Sequence, residues 1–335
     1  TSRGLGDVYK RQDHVIRTLD ELGVDHSRCR QYDGENGYAK VRLVDGDREF
    51  IMSNKGGIVN EHPLELTKED LDYILAGDLL NQCIGSSFGL RDFRVPFYGL
   101  YGACSTMGES LSLASLLIDG GYADRAAALT SSHFCTAERQ YRMPVPYGSQ
   151  RTPTAQWTAT AAGACLLRPA GEGVQLCAAT FGRVQDYKIK DINNMGAAMA
   201  PAAAATLLHY LKDTGSAPED FDRIYTGDLG HVGSQLLRDL LAAEGLLLKN
   251  HVDCGCILYD ATEQTVKSGG SGPGCSASVL CGHILPRLRR GSQKRVLFVA
   301  TGALMSQTTF LQKESIPAIA HLVELRSPQR KEENG

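Results

Sequence analysis

The sequence predicts an α/β protein in which two copies of one structural unit pack across a shared core. One observation is a short apolar run that ends in Gly-Asp-Leu, which occurs at 72–79 and again at 222–229. Another is a Cys-Ser pair that opens an apolar helix, which occurs at Cys104 and again at Cys275. Cys275 follows Cys104 by 171 residues and Arg295 follows Arg125 by 170, so one offset relates the two copies.

Length, composition and charge are those of an ordinary globular protein. The chain has 335 residues, of which 42% are hydrophobic and 22% charged, and a chain of this size can bury a substantial core. The net charge of −3 offers no basic surface for nucleic acid, so we expect no such partner. Because no apolar run reaches about 18 residues and no secretion pattern opens the chain, we expect a cytoplasmic protein without a signal peptide.

The ten cysteines predict reduced thiols, because their spacing and the absence of an export signal do not indicate a disulfide scaffold. Cys254 and Cys256 form a C-x-C pair, but no second pair or nearby His completes a zinc site. We therefore predict no metal site and no cofactor.

Each copy places a cysteine at a predicted turn from strand to helix. In the first copy, Thr106 to Glu109 has a capping-box pattern, and 111–118 is apolar nearly all round, which predicts a buried helix. The first turn of a helix has unpaired N–H groups and a positive dipole, which stabilise an anion and lower the pKa of a thiol. Cys104 and Cys275 are therefore candidate site residues, and the alternative is that both are small residues required by tight packing.

From about Thr67 to Glu324 the chain resembles the stage V sporulation protein AD family. That family has a thiolase-like fold, five-layered αβαβα, so the resemblance implies duplicated halves at 71–180 and 181–326, followed by a polar tail at 327–335. The segments that carry the resemblance are Gly77-Asp78-Leu79-Leu80-Asn81-Gln82, Tyr101-Gly102-Ala103-Cys104-Ser105-Thr106, Thr130-Ser131-Ser132-His133-Phe134, Asn194 to Ala203, and Gly269-Gly270-Ser271-Gly272.

The resemblance implies a protein that binds dipicolinic acid for its uptake into the developing bacterial spore. It implies that the ligand is bound alone or with calcium, and that the protein is peripheral to the spore inner membrane through other stage V sporulation membrane proteins. It also implies a homodimer, although missing N-terminal elements leave the oligomeric state open.

The N-terminal residues do not fit this family. Residues 13–70 resemble an internal fragment of a ribokinase-type sugar kinase, without that family's catalytic base or anion hole, and 1–12 read like a translated adapter. We therefore predict an artificial join near residue 70, with a genuine family variant as the alternative. A join would leave the N-terminal half without its first strand and helices, so its sheet would be incomplete and would have an exposed edge.

A condensing enzyme of this fold needs a thiolate and two polar partners, usually His with His or Asn. Cys104 matches the nucleophile position, but Asp228 stands where the first partner is expected, and the second position falls within 271–275, which contains no imidazole. A non-catalytic binding protein is therefore favoured. The alternative is an acyltransferase of the condensing class with Cys104 as nucleophile, so enzymatic activity stays open.

Dipicolinate is a flat ring with two carboxylates, so its site should offer cations, N–H donors and an apolar slot. The segment after the predicted strand at 126–130 supplies His133, Arg139 and Arg142 among aromatic residues. Interface packing is the alternative for both arginines. Asp78 and Asp228 are expected to cap the helices that follow them, and the alternative is that they hold calcium. The predicted ligand-binding residues are Cys104, His133, Arg139, Asp228, Ser271 and Cys275.

Overall fold

The chain forms two compact units, Thr1–Leu66 and Thr67–Gly335. The computed structural model describes residues 17, 38–44, 47–54, 70–141, 151–169, 171, 173–260, 262 and 264–328. In the first unit, strands β1 (Tyr38–Val44) and β2 (Asp47–Asn54) form an antiparallel hairpin. The predicted adapter at 1–12 and most of the tail at 327–335 lie outside the described residues.

The second unit contains the other strands and the helices. Its strands are β3 (Tyr73–Asp78), β4 (Phe97–Gly99), β5 (Ala126–Ser132), β6 (Trp157–Thr158), β7 (Ala161–Leu167), β8 (Gln175–Thr180), β9 (Arg223–Thr226), β10 (His251–Asp253), β11 (Gly270–Ser271), β12 (Arg295–Ala303) and β13 (Ala318–Arg326). Its α-helices are α1 (Ile84–Leu90), α2 (Thr106–Asp119), α3 (Phe134–Tyr141), α4 (Met195–Thr214), α5 (Gly230–Ala243), α6 (Cys254–Leu258), α7 (Pro273–Val279), α8 (Leu285–Arg289) and α9 (Gln307–Leu311).

Two mixed sheets repeat one strand order, which confirms the predicted duplication. One sheet has the order β4-β3-β5-β7 and the other has the order β10-β9-β12-β13-β8. In each, three parallel strands are followed by an antiparallel one. Thus β3 corresponds to β9, β5 to β12 and β7 to β13. Because β8 joins the second sheet, the second half begins at or before Gln175 in the structure, earlier than the predicted boundary at 181.

An equivalent aspartate side chain stabilises the start of the strands in both repeated sheets. Asp72, just before β3, accepts hydrogen bonds from two consecutive backbone N–H groups before β5, of which the second belongs to Arg125, at 2.8 Å each. Asp222, just before β9, accepts two equivalent bonds at the start of β12, at 2.6 and 2.9 Å, and the second donor is Arg295, the first residue of that strand. Each aspartate thereby fixes the start of its strand relative to the neighbouring parallel strand.

Helices α2 and α7 lie in a central layer. Helix α2 contacts β3 and β5 of one sheet and β12 and β13 of the other, while α7 contacts β5 and β7. The approach is close: a β-carbon on Gly108 of α2 would lie 2.8 Å from the Ala300 β-carbon, and one on Gly163 of β7 would lie 2.6 Å from the Ala277 carbonyl oxygen. Met107 and Leu111 of α2 are buried in the core, as the apolar pattern predicted.

The capping box predicted for α2 does not form. The Thr106 hydroxyl donates to the Ala103 carbonyl at 2.8 Å, because the chain before the helix turns too tightly for a conventional cap. Glu109 Oε2 is buried without a hydrogen-bond partner among the described residues. Burial accordingly raises the pKa of Glu109.

The outer layers differ between the halves. Helices α4 and α5 cover the five-stranded sheet and bury Leu207, Leu237 and Leu241 against it. On the other side, the shorter α1 follows β3 as α5 follows β9, and it contacts β3. In the described part of the chain, β7 pairs on one side only, whereas β13 also pairs with β8. Leu166 on β7 is 59% exposed, and the incomplete N-terminal half with an exposed edge stays a prediction.

Replacing Gly163 with Ala should lower the free energy of unfolding by about 1 to 3 kcal/mol, because the new methyl group would overlap the backbone of α7. Gly89→Ala is the matched control, since no atom lies within 4 Å of its β-carbon position and alanine favours a helix. Urea denaturation followed by circular dichroism measures both. Equal stability of the two variants would contradict the close packing of β7 on α7.

Candidate functional site

A cleft opens beside Cys104 in the second unit. Its empty space amounts to about 730 Å³, open solvent at its mouth included. Its walls are mainly apolar, and Leu79, Tyr141, Met199 and Met305 form part of them. The polar residues that line it are Cys104, Glu138, Gln156, Thr158, Asn193 and Ser271.

A strained turn places Cys104 at the start of α2. Ala103 has a φ of 52°, a left-handed conformation that costs a residue with a β-carbon about 1 kcal/mol or more. The turn packs directly on the end of β12, where a β-carbon on Gly302 would lie 2.2 Å from the Gly102 carbonyl oxygen. Cys104 is 8% exposed, and its Sγ lies 3.9 Å from the Ser271 hydroxyl.

The thiol of Cys104 is held in its protonated form. Burial, followed by the charge of Asp228, raises its pKa well above the ordinary value. The expectation that the helix N-terminus lowers this pKa was therefore wrong. A helix dipole counts little here because the thiolate would be removed from water and placed beside a carboxylate.

The carboxylate of Asp228 is the centre of a buried polar cluster behind Cys104. Its Oδ2 accepts hydrogen bonds from the Ser271 hydroxyl at 3.0 Å and the Gly272 N–H at 2.9 Å, and its Oδ1 accepts one from the Thr301 hydroxyl at 2.9 Å. The residue has 0% exposure. Burial raises the pKa of Asp228 to about 7, although the hydrogen bonds act in the opposite direction.

Asp78 and Asp228 occupy equivalent positions in the two copies but act differently. Asp78 caps α1 as predicted, since it accepts a hydrogen bond from the Ser86 N–H at 2.7 Å. The capping prediction for Asp228 was wrong, because Asp253 accepts the bond from Gly230 N–H at the start of α5, at 2.9 Å. Sequence reasoning missed Asp253, although an aspartate directly before Cys-Gly-Cys, where α6 begins, is a typical N-cap signal.

The structure brings only some of the predicted site residues together. Ser271 lines the cleft with Cys104, and Asp228 lies directly behind Ser271. Cys275 is fully buried in the core and its Sγ faces the Gly227 carbonyl at 4.0 Å. His133 and Arg139 are exposed and do not line the cleft, so their ligand-binding role stays a prediction. Arg142 lies outside the described residues.

The described lining of the cleft contains no His, Lys or Arg. His231 is exposed and its Nδ1 lies 3.5 Å from the sulfur of Cys256. Arg151 forms an ion pair with Glu138 of the cleft wall at 2.9 Å and stacks on Trp157 at 4.0 Å. The groups around Cys104 are thus a carboxylate and a hydroxyl.

Gln156 is a wall residue that sequence reasoning missed. Its Nε2 donates to the carbonyl oxygens of Asp228 at 2.6 Å and Gly270 at 2.9 Å. It thereby joins the loop after β9 to β11. No local motif marks such a residue, because both of its partners are distant in sequence.

Among the described residues, no group of three or more His, Cys, Asp or Glu side chains is arranged to hold a metal ion. The helices in that same part of the chain include none with the length and apolar character needed to cross a membrane.

Cys104 should react slowly with iodoacetamide near neutral pH, and Asp228→Asn should accelerate the reaction, because loss of the buried charge lowers the thiol pKa. Peptide mapping by mass spectrometry measures the rate for each cysteine in one sample. The exposed Cys135 is the internal control. A wild-type Cys104 that reacts as fast as Cys135 would contradict the protonated, shielded thiol.

The family model for stage V sporulation protein AD matches residues 52–326 of this chain. Stage V sporulation protein AD of Bacillus subtilis (strain 168) is 48% identical over 321 residues, which cover 96% of this chain and 91% of that protein. A shorter match to fructosamine kinase FrlD of the same organism has 39% identity over 74 residues, or 22% of this chain and 26% of the kinase.

Among solved structures, the chain is similar to AbyA1, a tetronic acid condensing enzyme. The TM-score is 0.50 at 18% sequence identity, with 78% of this chain and 80% of AbyA1 covered. This likeness shows the thiolase-like fold. The short kinase match fits the predicted sugar-kinase-like fragment, whereas the artificial join near residue 70 stays a prediction, because the family model already starts at residue 52.

Proposed function

The chain belongs to the stage V sporulation protein AD family, and from this premise we propose that it binds dipicolinic acid in the cleft beside Cys104. On this proposal it serves the uptake of that acid into the developing spore and catalyses no reaction. The observation that carries the proposal is the combination of an open, mainly apolar cleft with a thiol that is kept protonated.

The groups around Cys104 support binding without catalysis. A condensation requires a thiolate and neutral or cationic hydrogen-bond donors for the developing oxyanion. Here the Asp228 carboxylate raises the pKa of the thiol, and the Ser271 hydroxyl donates to that carboxylate. Both contacts work against nucleophilic attack by Cys104.

The shape and chemistry of the cleft support a small planar ligand. Tyr141, Met199 and Met305 provide flat or adaptable apolar surface for a ring. For the ligand carboxylates we propose contacts from His133 and Arg139, with the Ser271 hydroxyl. Arg139 belongs to α3 and His133 directly precedes it, and α3 also contributes Glu138 and Tyr141 to the cleft wall.

We further propose that the protein is held at the spore inner membrane by other stage V sporulation membrane proteins and that it acts as a homodimer. The resemblance to the family implies these partners. Calcium is proposed to enter with the ligand, because dipicolinate supplies carboxylate oxygens of the type that calcium prefers.

A second candidate function is acyl transfer with Cys104 as nucleophile. The left-handed Ala103 favours it, since strained backbone at a turn into a helix is a feature of active sites. An acyl group transferred from acyl-CoA would form a thioester with Cys104 Sγ, and the coenzyme A thiol would leave with the thiol proton.

Dipicolinic acid should bind the chain saturably in calorimetric titration, and Ala303→Trp should weaken binding at least about tenfold, because the indole would fill the cleft that Ala303 lines. Leu116→Trp is the matched control, since Leu116 is exposed on α2 and does not line the cleft. Equal affinity of the two variants would place the ligand outside the cleft.

Folded protein that gives no heat with dipicolinic acid would contradict the binding proposal. Acyl transfer is then tested by incubation with acyl-CoA and intact-mass measurement. A mass increase that is absent in Cys104→Ala would favour the second candidate function.

A further inference from the structure

The wall of the cleft at Ser271 presents no free donor while Asp228 is ionised. The Ser271 hydroxyl hydrogen points back to Asp228 Oδ2, and the hydrogens of Gly272 N–H and Thr301 Oγ1 also point to this carboxylate. An anion in the cleft would therefore meet the lone pairs of the hydroxyl, with a buried negative charge directly behind them. This arrangement opposes the binding of any carboxylate.

The other ionisable groups that act on Asp228 are acids. Asp253 faces it from the end of β10, and its charge raises the pKa of Asp228. The thiols of Cys104, Cys254 and Cys275 are protonated and carry no charge, and the Cys104 thiol donates a hydrogen bond that lowers the pKa of Asp228. A further negative charge in the cleft would add to this repulsion at a fully buried site, where screening by water is weak. When the ligand enters without calcium, neutralising Asp228 is the direct way to relieve this repulsion, so the titrations that test it are made in calcium-free buffer.

We propose that Asp228 takes up one proton when an anion enters the cleft, so that Asp228 is the positioning residue that couples ligand binding to protonation. The proton comes from solvent and forms an O–H bond on Oδ1, where the Thr301 hydroxyl oxygen accepts it. Oδ2 keeps its bond from the Gly272 N–H. The inference rests on the proposed function for the identity of the anion.

Neutralisation also frees the donor on the cleft wall. A hydrogen bond to an ionised carboxylate is roughly twice as strong as one to a neutral acceptor. Once Asp228 is protonated, the Ser271 hydroxyl is held less firmly and can turn to donate to a ligand carboxylate. A single proton thus removes a repulsive charge and supplies a donor at the same wall.

The pH dependence has a definite sign. Burial already holds the pKa of Asp228 at about 7, and a bound anion raises it further. Affinity is then highest below about pH 7, where Asp228 is protonated before the ligand binds. Above that pH it falls about tenfold per unit, because each binding event must take a proton from increasingly basic solvent.

The test is calorimetric titration of the full chain with dipicolinic acid between about pH 6 and pH 8.5, in two buffers of different ionisation enthalpy. Near pH 8 the wild type should take up close to one proton per ligand. In a His133→Asn background, where the imidazole proposed to contact the ligand cannot supply a proton, Asp228→Asn should take up none, should bind about tenfold more tightly than His133→Asn alone at pH 8, and should show no fall in affinity with pH. The amide can keep the bonds from Ser271 and Gly272 on its oxygen and donate to Thr301.

Two further variants separate Asp228 from other sources of a proton. Thr301→Val removes a hydrogen bond that lowers the Asp228 pKa, so the fall in affinity should begin at a higher pH. Asp92→Asn, which removes an exposed charge, should match wild type in proton uptake. If the Asp228→Asn variant does not fold, the proposal is tested by the pH at which the affinity of Thr301→Val begins to fall, and the absence of a shift to higher pH would contradict the proposal.

Dipicolinic acid that binds without proton uptake, or with an uptake that persists in Asp228→Asn, would overturn the coupling and leave the proposed function intact. A wild type and an Asp228→Asn variant that both fold and bind no dipicolinic acid at any pH would overturn the proposed function itself.

Discussion

The second unit depends at its centre on one carboxylate that has no contact with solvent. Asp228 lies after β9, and its hydrogen bonds reach β11, the start of α7 and the end of β12. An ionised carboxylate in such a place would cost several kcal/mol without these partners. The same bonds hold Ser271 in the cleft wall and set the electrostatic environment of Cys104. Asp228 therefore contributes both to the packing of the second unit and to the chemistry of the cleft.

Duplication explains how this residue arose and why only one copy forms a site. The equivalent strands β3 and β9 both lead into a Gly-Asp-Leu segment. Asp72 and Asp222, which precede these strands, accept equivalent hydrogen bonds in the two halves. In the first copy the aspartate after the strand caps a short helix, whereas in the second copy Asp253 takes over capping. Asp228 is thereby free to turn inward toward the cleft.

Sequence patterns were sufficient to predict the duplicated α/β architecture of the second unit. The two repeated α/β units, the burial of α2 and the place of Cys104 at its start follow from local apolar runs and from an offset that repeats, because period and composition directly reflect burial. The incomplete first half stays a prediction, and within the described part of the chain β13 pairs with β8 whereas β7 pairs on one side only.

The chemistry of the site was less predictable. The pKa of Cys104 is decided by desolvation and by Asp228, which is 124 residues away in sequence, so no local rule for a helix N-terminus applies. Met199, Met305 and Gln156 reach the cleft only through the packing of distant elements. Conversely, His133 and Arg139 have suitable chemistry in sequence but are exposed beside α3. Contacts that fold topology creates over long separations are invisible to periodicity.

The central claim is that the cleft beside Cys104 holds an aromatic dicarboxylate. X-ray diffraction from crystals of the full chain grown with dipicolinic acid tests it most directly. The account predicts density for a planar ring between Tyr141 and Met199, with one carboxylate within hydrogen-bond distance of the Ser271 hydroxyl. An empty cleft at saturating ligand, or a ring bound elsewhere on the chain, would contradict it.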